Sequence, residues 1–224
     1  MFVVAATALA GSLGACVREL EPVISEDALT DETGYGYGYS AAAAPACFDA
    51  AAAAPRWHVP APLHQGLCSA AQTQALLRCY VTHDLETTTC RAYFRKAENV
   101  GCQKCALSKE TAASYGALVI DHDGELRPNV GGCIAGATND RAVDGCGAKV
   151  QLRERCLRDA CASCRNADRS RCETAARANV CAAYDDAPSC YEAATAPGAP
   201  ARECRFEGPE PERAREAILA FCGP

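Results

Sequence analysis

Two Cys-x-x-Cys motifs, Cys102-Gln103-Lys104-Cys105 and Cys161-Ala162-Ser163-Cys164, carry the spacing best suited to chemistry in this 224-residue chain. Such a pair can cycle between dithiol and disulfide, provided that a helix N-terminus lowers the pKa of its first thiol. The arrangement calls for a strand before the motif and a βαβ pattern around it, and the sequence supplies neither. Together the motifs could also offer four thiolates to zinc. In a chain with seventeen cysteines, disulfides in an oxidising compartment are the better expectation, and no metal ligand is assigned. Neither motif is followed by histidine, so covalent haem attachment is excluded.

The remaining reactive side chains form no constellation. His58 and His64 lie in a Pro-rich stretch, His83 at a helix junction and His122 in a turn, none at ligand spacing from another. Ser114-Tyr115-Gly116 lacks the glycine that a nucleophile elbow places two residues before its serine. The run Asp121-His122-Asp123-Gly124-Glu125 is too short for a calcium loop and reads as a polar turn. Arg153, Arg155, Arg158, Arg165, Arg169 and Arg171 outnumber the acids among them, which suits a solvated helix face or a contact with an anionic glycan or lipid head group. No catalytic residue and no cofactor are assigned.

The elements that position these residues read as helices. Ser69 and Gln72 make a capping box, and Ala75, Leu76 and Cys79 follow at helical spacing. A second helix is expected from Asp84 to about Glu98, antiparallel to the first. Cys68, Cys79, Cys90 and Cys102 fall eleven or twelve residues apart, so a ladder of Cys79–Cys90 and Cys68–Cys102 would staple the pair. Ala117 to Ile120, the turn Asp123-Gly124 and the return Glu125 to Arg127 predict a β-hairpin, with Pro128 confining the return strand to an edge. Cys105 and Cys133 flank this hairpin and are the expected clamp. Helix is expected again beyond Gly131-Gly132, through Asp140 to Ala160, and then from a capping box at Ser170 and Glu173. Cys172 and Cys181, half a turn out of phase, would tie opposite faces of that helix to different neighbours. A last helix opens at Pro211.

From 57 to 224, Leu, Ile, Val and Phe supply only 25 of 168 residues, below the ~20 % at which chains begin to look disordered. Alanine is abundant, and each buried methyl contributes on the order of 1 kcal/mol. Disulfides at roughly 2–4 kcal/mol each would replace the missing burial. The candidates are Cys47, Cys68, Cys79, Cys90, Cys102, Cys105, Cys133, Cys146, Cys156, Cys161, Cys164, Cys172, Cys181, Cys190, Cys204 and Cys222.

The seventeenth cysteine, Cys16, ends Leu13-Gly14-Ala15-Cys16 behind the apolar run Phe2 to Ala10. This resembles the lipobox of bacterial lipoproteins, which implies cleavage before Cys16 and its acylation. The reading divides the chain into a signal peptide (1–15), a lipid anchor with a low-complexity tether (16–56) and a body (57–224), within which 66–134 and 135–224 read as lobes. From Val17 to Thr33 six acids face one base, so the tether carries five of the six net negative charges, and the near-neutral body argues against nucleic acid. The Gly/Tyr and alanine runs that follow are spacer. Val17 is not the aspartate that retains lipoproteins of this kind in the inner membrane, so the resemblance implies the outer membrane.

With Asn129-Val130-Gly131-Gly132-Cys133-Ile134 and Gly145-Cys146-Gly147-Ala148, the chain further resembles Ala-rich, Cys-rich myxobacterial-type lipoproteins, a group that implies no activity. The fold expected is mainly α: a disulfide-rich helical body with one small β-hairpin, preceded by a disordered tether. The function expected is a structural or binding module of the cell envelope, held to the membrane by its lipid, with an envelope protein or glycan as partner. The alternative is an extracytoplasmic thiol-disulfide oxidoreductase using a Cys-x-x-Cys pair.

Overall fold

The capping box at Ser69 forms as expected, and it starts the first helix of the computed structural model, which describes residues 44–52, 54–81, 87–165 and 167–223. Cys16, the spacer up to residue 43, and His83 lie outside the described residues. After a short strand β1 (Val59–Pro60), helix α1 (Ala70–Val81) opens with Gln72 N–H donating to Ser69 Oγ at 3.2 Å and Ser69 N–H donating to Gln72 Oε1 at 2.9 Å. Helix α2 (Thr88–Arg95) is shorter than the expected span to Glu98, and Thr87 caps it by accepting from Cys90 N–H. The backbone turns extended at Lys96, because side chains from the next segment take over the free carbonyls of α2. Asn99 Nδ2 donates to Tyr93 O at 2.9 Å, and Gln103 Nε2 reaches the carbonyls of Tyr93 and Phe94. Helix α3 (Val100–Ala106) follows.

The hairpin forms within a three-stranded sheet. Strand β2 (Leu107–Lys109) is succeeded by β3 (Ser114–Tyr115), which pairs in parallel with β1. Then β4 (Leu118–Ile120) and β5 (Leu126–Pro128) make the antiparallel hairpin, and β2 adds to β4 in parallel, giving the order β2-β4-β5. Pro128 lies on the edge strand, where its missing N–H disrupts no ladder. Asp121 Oδ1 organises the turn by accepting from the N–H of Asp123 and Glu125, and Gly124 takes φ 84°.

Gly131 and Gly132 do not break the chain; they lie inside α4 (Val130–Ala137), capped by Asn129 Oδ1, which accepts from Gly132 N–H at 3.0 Å. Gly131 serves a helix crossing, while a Cβ on Gly132 would strike the capping side chain of Asn129. A Cβ on Gly131 would run into the carbonyl oxygen of Gly147 and lie 2.7 Å from Gln151 N, both on α5 (Cys146–Ala160). Helix α5 begins at Cys146 and not at Asp140, because the chain before it is taken up in turns, with Ala142 N–H donating to Asp140 Oδ1 at 3.2 Å. Helix α6 (Ala167–Ala178) starts before Ser170, so the second expected capping box is absent, and Glu173 pairs instead with Arg169 at 3.0 Å and Arg177 at 3.7 Å. Helices α7 (Ala187–Thr195) and α8 (Glu210–Cys222) complete a chain that is mainly helical with a small sheet.

All sixteen cysteines from Cys47 onward are paired. Cys79–Cys90 and Cys68–Cys102 form the expected ladder. The clamp Cys105–Cys133 does not form. Helix α8 returns to pack on α1 and α3, so Cys222 at its end meets Cys105, while Cys133 joins Cys204. Cys172 bonds to Cys161 and Cys181 to Cys156, so both tie to the same stretch in and just after α5, not to different neighbours. The reason is that Cys181 lies beyond the end of α6, where the chain turns back. Cys146–Cys190 links α5 to α7, and Cys47–Cys164 fastens the segment 44–52.

The core confirms why these bonds are needed. Thirteen of its buried residues are cysteines and eleven are alanines, as many alanines as Leu, Ile, Val and Phe together. The main core runs from Cys68 to Cys222 and draws on both 66–134 and 135–224, around Leu76, Leu118, Ile134, Ile218 and Phe221. A second, smaller core is built almost entirely of cysteines and alanines at the end of α5 and on α6, and the segment with Phe48 and Ala52 packs against it.

Candidate functional site

Helix α5 turns Gln151, Glu154, Arg155 and Arg158 to one side, at the i, i+3, i+4, i+7 spacing of a single helix face. They form one wall of a cleft of about 530 Å³. Strand β5 contributes Leu126 and Arg127, α6 Arg169 and Glu173, and α8 Glu210 and Arg213, with Tyr80, Val130, Leu157 and Phe206 between them. Five arginines and four glutamates line the cleft, so a polar, charged ligand suits it better than an apolar one.

Most of the arginines are already held. Arg127 Nε donates to Asp121 Oδ2 at 3.0 Å, and its Nη2 to Glu125 Oε2 at 2.6 Å. Burial alone would raise the pKa of Asp121, but the hydrogen bonds from Arg127 and from the N–H of Glu125 and Asp123 outweigh it and hold the carboxyl below its usual range. Arg158 pairs with Glu110, and Arg155 Nε stands 3.7 Å from the same carboxylate and 3.5 Å from Asp159. Arg155 Nη1 donates to Tyr115 Oη at 3.0 Å and to His58 Nε2 at 3.2 Å. An accepting Nε2 assigns the proton to His58 Nδ1, which donates to Ala112 O at 2.7 Å. The His58 ring stacks on Tyr115 with centroids 4.2 Å apart. Tyr115 Oη in turn donates to Glu110 O, and burial raises its pKa despite Arg155. This network stiffens the cleft wall and leaves no nucleophile poised beside a base.

Three charged groups in the cleft differ from the rest. Among the described residues, none of Glu154, Glu210 and Arg213 has a side-chain hydrogen bond or ion pair. Glu154 is open to the cleft yet has protein around it, and loss of hydration pushes its pKa up to about 7, against the pull of Arg158, Arg127, Arg153 and Arg213. It is therefore a carboxyl that changes charge near neutral pH, set among guanidinium groups.

Of the residues singled out by sequence, Arg155, Arg158 and Arg169 converge on the cleft, while Arg171 pairs with Asp168 away from its lining. His64 pairs with Glu203, and His122 lies near Glu110 and Asp123, so among the described residues His58, His64 and His122 stand apart from one another. Glu154, Arg127, Arg213, Glu110 and Tyr115 are the residues that sequence reasoning misses. The polar spacing of 151, 154, 155 and 158 is the one local signal that could have found the first of them.

Neither Cys-x-x-Cys motif closes on itself. Cys102 and Cys105 bond to Cys68 and Cys222, and Cys161 and Cys164 to Cys172 and Cys47. The Sγ atoms of Cys161, Cys164 and Cys172 lie within 4.8 Å of one another, a metal-like cluster whose sulfurs are consumed by two disulfides and so are not thiolate ligands. No protein-family model matches the chain, and neither the curated proteins nor the solved structures contain a match to it.

Proposed function

We propose that this protein is a binding module of the bacterial cell envelope, acylated at Cys16 and held on the outer membrane, with the cleft beside α5 taking an anionic glycan. The observation that carries the reading is the cleft itself: a charged, arginine-lined site in which Arg213 is uncommitted and lost hydration raises the pKa of Glu154. A guanidinium receives a carboxylate by two parallel hydrogen bonds, and a neutral carboxylic acid beside it donates to a hydroxyl or carboxylate oxygen without repelling the anion. The disulfides throughout the body suit an oxidising compartment outside the cytoplasm, and the resemblance to Ala-rich, Cys-rich myxobacterial-type lipoproteins agrees with that address.

The test is titration of the protein with a uronic-acid oligosaccharide and with its neutral, carboxyl-reduced counterpart. The uronate binds and the neutral sugar does not, and Arg213→Ala, a substitution at an exposed position, weakens uronate binding about tenfold or more, the loss of one charge-assisted bidentate contact. Equal binding of both sugars, or no change in Arg213→Ala, contradicts the reading.

A further inference from the structure

Of the three disulfides in the small core around the end of α5, Cys47–Cys164 and Cys161–Cys172 lie side by side. Cys161–Cys172 is fully buried, and Cys164 is 5 % exposed, whereas its partner Cys47 is partly open to solvent. The Sγ of Cys164 lies within 4.8 Å of the Sγ atoms of both Cys161 and Cys172. Cys161 and Cys164 stand on one turn, with Cys164 N–H donating to Cys161 O at 3.0 Å. Such a turn brings the two Cα atoms within about 7 Å, the range a disulfide requires.

The geometry points to a thiol-reactive site at Cys47, in which an incoming thiol bonds to Cys47 and the Cys161-x-x-Cys164 motif closes behind it by disulfide exchange. The substrate class is a small thiol or a partner's cysteine thiolate. That thiolate attacks the accessible Cys47 Sγ, forms a mixed disulfide there, and breaks the bond to Cys164, which leaves with the electron pair. A buried thiolate is unfavourable, and its nearest electrophile is the neighbouring disulfide. Cys164 Sγ attacks Cys161 Sγ; Cys161–Cys164 forms and Cys161–Cys172 breaks. Cys172 takes the electron pair and then a proton from solvent, and the resulting thiol has the Ala160 carbonyl 3.6 Å away as acceptor. One thiol enters, one thiol is released at Cys172, and the number of disulfides in the pair of bonds exchanged is conserved. The structural consequence falls on segment 44–52, which loses the covalent tie that holds it to the body. Its remaining fastenings include the hydrogen bond from Asp49 N–H to Ala160 O and the packing of Phe48 and Ala52 on the same small core.

This site is independent of the cleft and of whatever binds there. Its test uses the intact protein and glutathione. Exchange is quenched with acid, free thiols are alkylated in denaturant, and tryptic peptides are mapped without reduction. The peptide 159–165 contains both Cys161 and Cys164, and 172–177 contains Cys172 alone. The expected products are glutathione on Cys47, peptide 159–165 bridged internally with no alkyl group, and alkylated Cys172. The Cys146–Cys190 bond, also partly exposed, provides the contrast: opened by glutathione, it leaves its second sulfur simply free. Alkylated Cys164 with Cys161–Cys172 intact overturns the proposal, and so does a Cys47–Cys164 bond that survives until the body unfolds. In Cys47→Ser, the same internal bridge and alkylated Cys172 are expected without added thiol, and alkylated Cys164 with Cys161–Cys172 intact overturns it there.

Discussion

Removing single disulfides separates their role as chain constraints from their role as packing. Cys105–Cys222 closes 117 residues and Cys79–Cys90 closes 11. In the chain-entropy treatment, loops of these lengths are worth about 4.9 and about 2.8 kcal/mol. The longer loop is not independent, because Cys133–Cys204 bridges it internally. With that bond in place, the path from Cys105 to Cys133 and from Cys204 to Cys222 is roughly 46 residues, and the expected loss falls to about 4.0 kcal/mol. The alanine pair Cys105→Ala/Cys222→Ala should therefore destabilise the body by about 1 kcal/mol more than Cys79→Ala/Cys90→Ala. Buried sulfur is lost in both pairs, so packing contributes to both and largely cancels in the difference. Urea unfolding under non-reducing conditions measures it. If the short-loop pair costs as much as the long-loop pair, or more, the account of the disulfides as unfolded-state constraints is wrong.

Other consequences follow from single residues. Gly131→Ala sets a methyl against the backbone of α5, and the overpacking should cost about 1–3 kcal/mol in the same urea assay; an unchanged midpoint would deny the close helix crossing. Asp121 has a lowered native pKa, so its stabilisation is present above its unfolded value of 3.8 and disappears as pH falls through the lower native value. Asp121→Asn should thus lose stability at neutral pH and converge on the wild type in strong acid, as followed by thermal melting across pH 2–7. Glu154 works the other way in binding. As pH rises through about 7 it gains a charge that opposes an anion, beside Glu125 in the hairpin turn, Arg127 on β5, Arg169 and Glu173 on α6, and Glu210 and Arg213 on α8. Uronate affinity should fall over that range in the wild type and lose this step in Glu154→Gln, as read by titration calorimetry at several pH values.

What is legible in the sequence is local. Ser69 and Gln72 cap a helix through groups three residues apart, Asp123-Gly124 turns a hairpin, and Cys79–Cys90 joins the facing ends of α1 and α2, while Cys68–Cys102 pairs as expected although Cys102 stands on α3, beyond the break at Lys96. The partner of Cys105 is not legible, because it depends on α8 coming back across α1 and α3, and cysteine spacing carries no record of that return. Gly131 and Gly132 favour a break by propensity, yet the crossing with α5 leaves no room for a side chain at Gly131 and the Asn129 cap leaves none at Gly132, so packing overrides the local preference. The same limit applies to the cleft. Arg155 and Arg158 stand out as a charge-rich helix face, but its opposing walls, Arg127 and Arg213, come from a strand and a helix that no periodicity relates to α5.

The central claim is that a core poor in large apolar residues is held by cysteines that are all engaged in disulfides, with none kept free as a reactive thiol. Intact-mass analysis of the protein, alkylated in denaturant without reductant, tests it most directly. The account predicts no added alkyl group on any of the sixteen cysteines from Cys47 to Cys222, whereas two alkylated thiols in either Cys-x-x-Cys motif would contradict it and favour a thiol enzyme.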